Sequence, residues 1–97
     1  MTRDEIIAKL KEAAPALRAE GVKRLAIFGS RARGDAREDS DLDVLIDVDD
    51  AKFSGLNIVG VQHIIKQATG IETQAEMRRS IEPRFARRIA DDVIEVF

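Results

Sequence analysis

The sequence predicts an α/β domain, in the broader α+β sense, with a mixed four-stranded sheet flanked by helices. Three observations carry that expectation. Two apolar runs, Leu25-Ala26-Ile27-Phe28 and Val44-Leu45-Ile46, bracket a segment rich in Gly, Ser and Asp, which reads as strand, tight turn and strand. Stretches with apolar residues at helical spacing occur before and after this unit. Strict alternation from Ile71 to Met77 marks a further strand between two of those helices.

The elements follow in order. Thr2-Arg3-Asp4-Glu5 has the form of a capping box, and Ile6, Ile7, Leu10, Ala13, Ala14 and Leu17 recur at helical spacing up to Gly21. Pro15 falls inside this helix and predicts a kink or break near Ala14. Lys23 to Phe28 is the first strand and Leu42 to Val48 the second. On the second, Leu42, Val44, Ile46 and Val48 share the core face, while Asp41, Asp43, Leu45 and Asp47 share the other. Residues 49–55 read as a connecting loop, and Ser54 caps a helix from Gly55 to Thr69 that ends at Gly70. Gly60 inside that helix costs about 1 kcal/mol relative to alanine. In the third strand, Ile71 to Met77, the polar face carries Glu72, Gln74 and Glu76. Ser80 is expected to cap a helix with Ile81, Phe85 and Ile89 facing inward, and Val93 to Phe97 forms a last strand at a sheet edge.

The residues 29–43 carry the chemistry. Gly29 lets the backbone approach a ligand closely, and Ser30 is placed to cap a short helix whose free N–H groups suit an anion. Ten residues separate Ser30 from Asp41-Leu42-Asp43, two carboxylates on one face of a strand, which is a donor set for a hard divalent cation. Arg31 or Arg33 is a candidate for gripping phosphate oxygens in a fork, and the alternative for Arg31, Arg33 and Arg37 is solvent exposure or pairing with the acids that follow. Asp47 reads as a bystander on the carboxylate face, and His63, the single histidine, has no second ligand beside it.

Composition narrows the field. At 97 residues the chain is expected to form one domain, 1–97, with no cysteine to build a disulfide framework or a thiolate metal site. Its apolar runs are too short to span a bilayer, so a cytoplasmic protein is expected. A net charge of −2 argues against direct nucleic-acid binding, but the charge is unevenly distributed. Asp35 to Asp50 holds eight carboxylates against Arg37 alone, whereas Arg78, Arg79, Arg84, Arg87 and Arg88 cluster near the C-terminus. These runs read as solvated faces or as two patches suited to a complementary partner.

The full pattern of strand, Gly29-Ser30, ten residues, Asp41-x-Asp43 and strand resembles the signature of the polymerase-beta nucleotidyltransferase superfamily. The tighter Gly29-Ser30-Arg31-Ala32-Arg33-Gly34 with Ser40-Asp41-Leu42-Asp43 is similar to its minimal members, often paired with a HEPN-type toxin. The resemblance implies a single nucleotidyltransferase-like domain using ATP and two magnesium ions held by Asp41 and Asp43. It also implies nucleotide contacts from Gly29, Ser30 and Arg33, and AMP transfer to a hydroxyl of a partner, the HEPN toxin. The superfamily places a third carboxylate in the next strand, where this chain has Gln74; an amide offers neither charge nor basicity. Glu72 or Glu76 would fill the role after a two-residue shift of register. Two functions follow: a protein adenylyltransferase acting as antitoxin, or a degenerate nucleotidyltransferase fold that binds and neutralises its partner without chemistry. Self-association is left open by the sequence.

Overall fold

β1 (Val22–Phe28) runs antiparallel to β2 (Leu42–Val48), with Ile27 opposite Val44 and Phe28 opposite Asp43. These relations come from a computed structural model that describes residues 1–51 and 53–97. β3 (Thr73–Met77) lies parallel to β2 and β4 (Ile94–Glu95) antiparallel to β1, giving the mixed order β3-β2-β1-β4. A parallel neighbour requires a crossover, and α4 (Gly55–Thr69) supplies it. The expected loop before α4 includes Lys52, which lies outside the described residues.

The larger core lies between one face of the sheet and the helices α1 (Arg3–Glu12), α2 (Ala14–Ala19) and α4. Ile6 and Leu10 of α1, Leu17 of α2 and Val61 and Ile65 of α4 bury against Leu25, Ile27, Leu42, Val44 and Ile46. Each such Leu, Ile or Val contributes about 1.5–3 kcal/mol through burial. The Thr2–Glu5 capping box closes with bonds of 3.0 and 3.2 Å, and the chain breaks at Ala13, leaving Pro15 in the first turn of α2. Gly60 has a positive use: a Cβ there would come within 2.9 Å of the Glu20 carboxylate, which reaches across from α2 to accept from Asn57 Nδ2 at 2.9 Å.

The opposite face of the sheet carries a smaller cluster, Ala26, Phe28, Leu45 and Ile89, packed with Ile81, Phe85 and Val93. Leu45 is therefore core, not a companion of the carboxylates, because α5 (Pro83–Ile89) covers this end of the sheet. Ser80 does not cap α5. It closes a short 3-10 turn, Arg78–Ser80, and α5 starts at Pro83, whose fixed φ and missing N–H suit the first helical turn. β3 begins at Thr73 and β4 spans only Ile94–Glu95, although Val96 N–H still donates to Leu25 O at 2.7 Å. β4 is an edge strand, as expected, and β3 is the other edge. There Gln62 of α4 accepts the Ala75 N–H at 3.0 Å, occupying a donor on which another strand would pair. Among the described residues no helix is long and apolar enough to cross a membrane.

Candidate active site

The turn after β1 is built around Gly29. Its φ of 76° and ψ of −158° lie in a region essentially reserved for glycine, and a Cβ would sit 2.6 Å from Asp43 Oδ2. The carboxylate of β2 thus rests directly on the backbone of the motif turn. The Gly29 carbonyl starts a four-residue helix, α3 (Ser30–Arg33), by accepting from Ala32 and Arg33 N–H at 3.1 and 3.0 Å. Gly29 is itself the N-cap, so Ser30 occupies the first helical position rather than capping with its side chain. At such a start the leading N–H groups have no acceptor within the helix. Gly29→Ala is expected to destabilise the fold by about 1–3 kcal/mol from backbone strain alone. A denaturant melt checks this, and a midpoint equal to that of the unsubstituted chain would refute it.

The three arginines separate sharply. Arg31 is buried and donates to Ser40 O at 2.8 and 3.2 Å and to Glu38 O at 3.2 Å, so it holds the loop that delivers Asp41. It is structural, and its fork is already used. Arg33 is half exposed, with Nε on Asp35 at 3.1 Å and Nη1 on Asp92 at 2.9 Å. Hydrogen bonds to Asp35 first and then Asp92 push its high pKa further up. Arg37 contributes its backbone N–H to Ser40 Oγ at 2.9 Å.

Asp41 is exposed just before β2, and Asp43 is half-buried on the first pair of the β1–β2 ladder. Burial raises the Asp43 pKa, the charges of Asp41 and Glu76 raise it further, and Arg33 opposes them. A concentration of negative charge that resists ionisation is an environment a bound cation would relieve. Asp47 is committed elsewhere: it receives Arg78 Nε at 3.1 Å and Arg24 Nε at 3.8 Å, in a network that includes Glu95. Arg79 pairs with Asp50, so of the five C-terminal arginines only Arg84, Arg87 and Arg88 lack a carboxylate partner among the described residues. His63 is exposed on α4.

The β2–β3 register places Gln74 beside Asp43 and Glu76 beside Leu45, one position farther along the same face. Glu72 precedes the strand. Its carbonyl accepts from Leu42 N–H at 2.8 Å while its carboxylate is taken by Lys66 at the end of α4. Glu76, whose charge reaches Asp43, is therefore the acidic side chain of β3 that bears on the site. Among the described residues no group of three or more His, Cys, Asp or Glu is placed to hold a metal ion, consistent with the amide at the third position. The donor chemistry still fits magnesium: two carboxylates on one strand, with ligand and solvent oxygens to complete the shell.

A cleft of about 390 Å³ opens beside Glu76, lined also by Ile81, Glu82, Arg84, Phe85 and Arg88. Phe85 meets Phe28 edge-on at 5.9 Å, and Arg88 lies 5.2 Å over the Phe85 ring, so the cleft floor joins the residue that precedes Gly29. Sequence reasoning missed both this cleft and Asp92, which no local spacing connects to a motif 59 residues earlier.

A strand-borne carboxylate pressed against a glycine turn, in an α+β domain with this sheet order, defines a minimal nucleotidyltransferase fold. The chain belongs to the nucleotidyltransferase domain family, whose model matches residues 4–96. Among curated relatives, MJ0435 of Methanocaldococcus jannaschii, named as a candidate protein adenylyltransferase, is 35% identical over 82 residues, covering 84% of this chain and 87% of that one. The protein adenylyltransferase MntA of Thermococcus cleftensis is 30% identical over 76 residues, covering 78% and 76%. A solved candidate minimal nucleotidyltransferase superposes with a TM-score of 0.81 at 26% identity, covering 97% of this chain and 95% of that one. A chain of a tri-AMPylated Shewanella oneidensis HEPN toxin in complex with MNT antitoxin shares the fold, with a TM-score of 0.70 at 10% identity and coverage of 99% and 72%.

Proposed function

We propose that this nucleotidyltransferase moves AMP from ATP, with magnesium, onto a hydroxyl of a HEPN-type partner protein and so acts as its antitoxin. The observation that carries the reading is the close approach of Asp43 to Gly29, which joins the glycine turn to one of the paired carboxylates. The adenylyltransferase names of the relatives and the HEPN complexes among the fold neighbours support the partner class.

Asp41 and Asp43 are the residues to hold the two magnesium ions, with Gln74 adding at most a neutral amide oxygen. When bound, magnesium supplies charge neutralisation and Lewis-acid polarisation of the phosphates. The chain supplies the rest. The Gly29-Ser30 turn receives the phosphates on its backbone N–H groups, and Arg33 orients them. The acceptor oxygen attacks the α-phosphorus, the bond to the bridging oxygen breaks, pyrophosphate leaves, and the hydroxyl proton passes to Glu76 directly or through water.

A second reading has one observation in its favour: Gln74 stands beside Asp43 where the family has a carboxylate, which suits a fold that neutralises its partner by binding alone. Incubation with MgATP and a HEPN-type candidate partner protein separates the two. The transferase reading expects an AMP adduct on the partner by intact mass, lost when magnesium is chelated. Complex formation with no adduct would favour the second reading and overturn the first.

A further inference from the structure

Resting on the nucleotide reading above, we infer that Asp92 is a positioning residue for nucleotide binding, which acts by clamping Arg33 against the motif turn. Asp92 ends the 3-10 turn Ala90–Asp92 that follows α5, far from the motif in sequence. Its carboxylate is only 20% exposed and receives Arg33 Nη1 at 2.9 Å, while Asp35 receives Nε at 3.1 Å. A guanidinium is a planar fork, and two acceptors on different nitrogens fix both its position and its plane. Nη2 has no acceptor among the described residues, and the held charge is felt at Asp43. The clamp thus leaves one donor nitrogen of an already ordered fork without an acceptor among the described residues before a phosphate arrives.

Two anchors with different exposure have different parts. Asp35 is on the exposed side of the fork, 62% exposed and only two residues from Arg33, so it offers little independent reference. Asp92 belongs to the packed α5 end of the sheet, beside Val93 and Ile89 of the second cluster, and gives the fork a fixed reference. Pre-ordering of this kind lowers the entropy lost on binding, so it is read in affinity and KM before it is read in kcat.

The test is calorimetry of AMP-PNP with magnesium on the full chain. Asp92→Asn is expected to weaken binding about fivefold, the upper range an ion pair of this exposure transmits. Asp92→Glu should restore it to within about twofold, a rescue that a packing role would not give. In an Arg33→Ala background, Asp92→Asn should add nothing. Affinity unchanged or tightened by Asp92→Asn, or a further loss without Arg33, would overturn the proposal. A readout without nucleotide separates it from the reading it rests on: the Arg33 Nη1–H resonances, whose acceptor is Asp92, should be protected from exchange in the unsubstituted chain and exposed by Asp92→Asn. Protection that behaves so in a chain that binds no AMP-PNP would overturn the nucleotide reading, and Asp92's role in binding with it.

Discussion

Asp41→Asn and Asp43→Asn are each expected to lower AMP transfer by about a thousandfold or more, the rate equivalent of the several kcal/mol that a held cation contributes to charge stabilisation. Both substitutions keep the shape of the side chain, so the amide at position 43 still rests on Gly29. Asp43→Asn should also raise stability in the absence of divalent cations. Burial first, then Asp41 and Glu76, raise the Asp43 pKa in the folded state. A carboxyl shifted in that direction favours the fold when protonated. Its favourable contribution is complete below the ordinary aspartate range, near about 4, and is lost as pH rises through the higher folded value. The stability advantage of Asp43→Asn is therefore largest at neutral pH and closes on acidification. Thermal melts in chelator across that range check the sign; an advantage that grew in acid would show that the charge crowding has been misread. Added magnesium should reverse the order by stabilising only the chain that keeps both carboxylates.

Much of this architecture is written locally, where a residue's neighbours in sequence are also its neighbours in space. The Thr2–Glu5 capping box, the break imposed by Pro15, the bounds of β2 and the span of α4 from Ser54 to Gly70 all depend on contacts within a few residues, and all lie where periodicity and capping place them. The departures have non-local causes. Alternation along β2 groups Leu45 with the acids, but α5 returns over that face and buries it with Ile89. Arg31 and Arg33 have the same local chemistry; only the return path of the loop makes one a backbone clamp at Ser40 and the other a partner of Asp92. Glu72 lies on the expected polar face by parity, yet Lys66 draws its carboxylate to α4. In the candidate site, Gly29, Asp41 and Asp43 were legible because the turn and one strand bring them together, whereas the rest depends on which elements pack above the sheet.

The same pairing decides what the third position can do. Gln74→Asp is expected to raise transfer about tenfold to a hundredfold if an aspartate beside Asp43 supplies the missing charge and proton acceptor, the scale of general-base assistance being 10²–10⁴-fold at best. Glu76→Gln in the unsubstituted chain is expected to cost a similar factor, because Glu76 is the carboxylate of β3 whose charge reaches Asp43. Glu72→Gln should leave transfer unchanged, since Lys66 already holds that group on the far side. Distance sets the size of these effects. Residues two apart on a strand lie about 6.6–6.8 Å apart along it, so Glu76 reaches the place of a carboxylate at position 74 only through its longer side chain or a bridging water. Geometry of that quality gives slower transfer than a directly placed aspartate. In the double variant Gln74→Asp, Glu76→Gln the new aspartate should make the loss of Glu76 nearly silent, a non-additivity expected when two groups serve one role. Single-turnover transfer of labelled AMP to the partner measures all five chains. A robust unsubstituted enzyme indifferent to Glu76→Gln would remove Glu76 from the mechanism, and activity appearing only with Gln74→Asp would establish that the natural chain binds without catalysing.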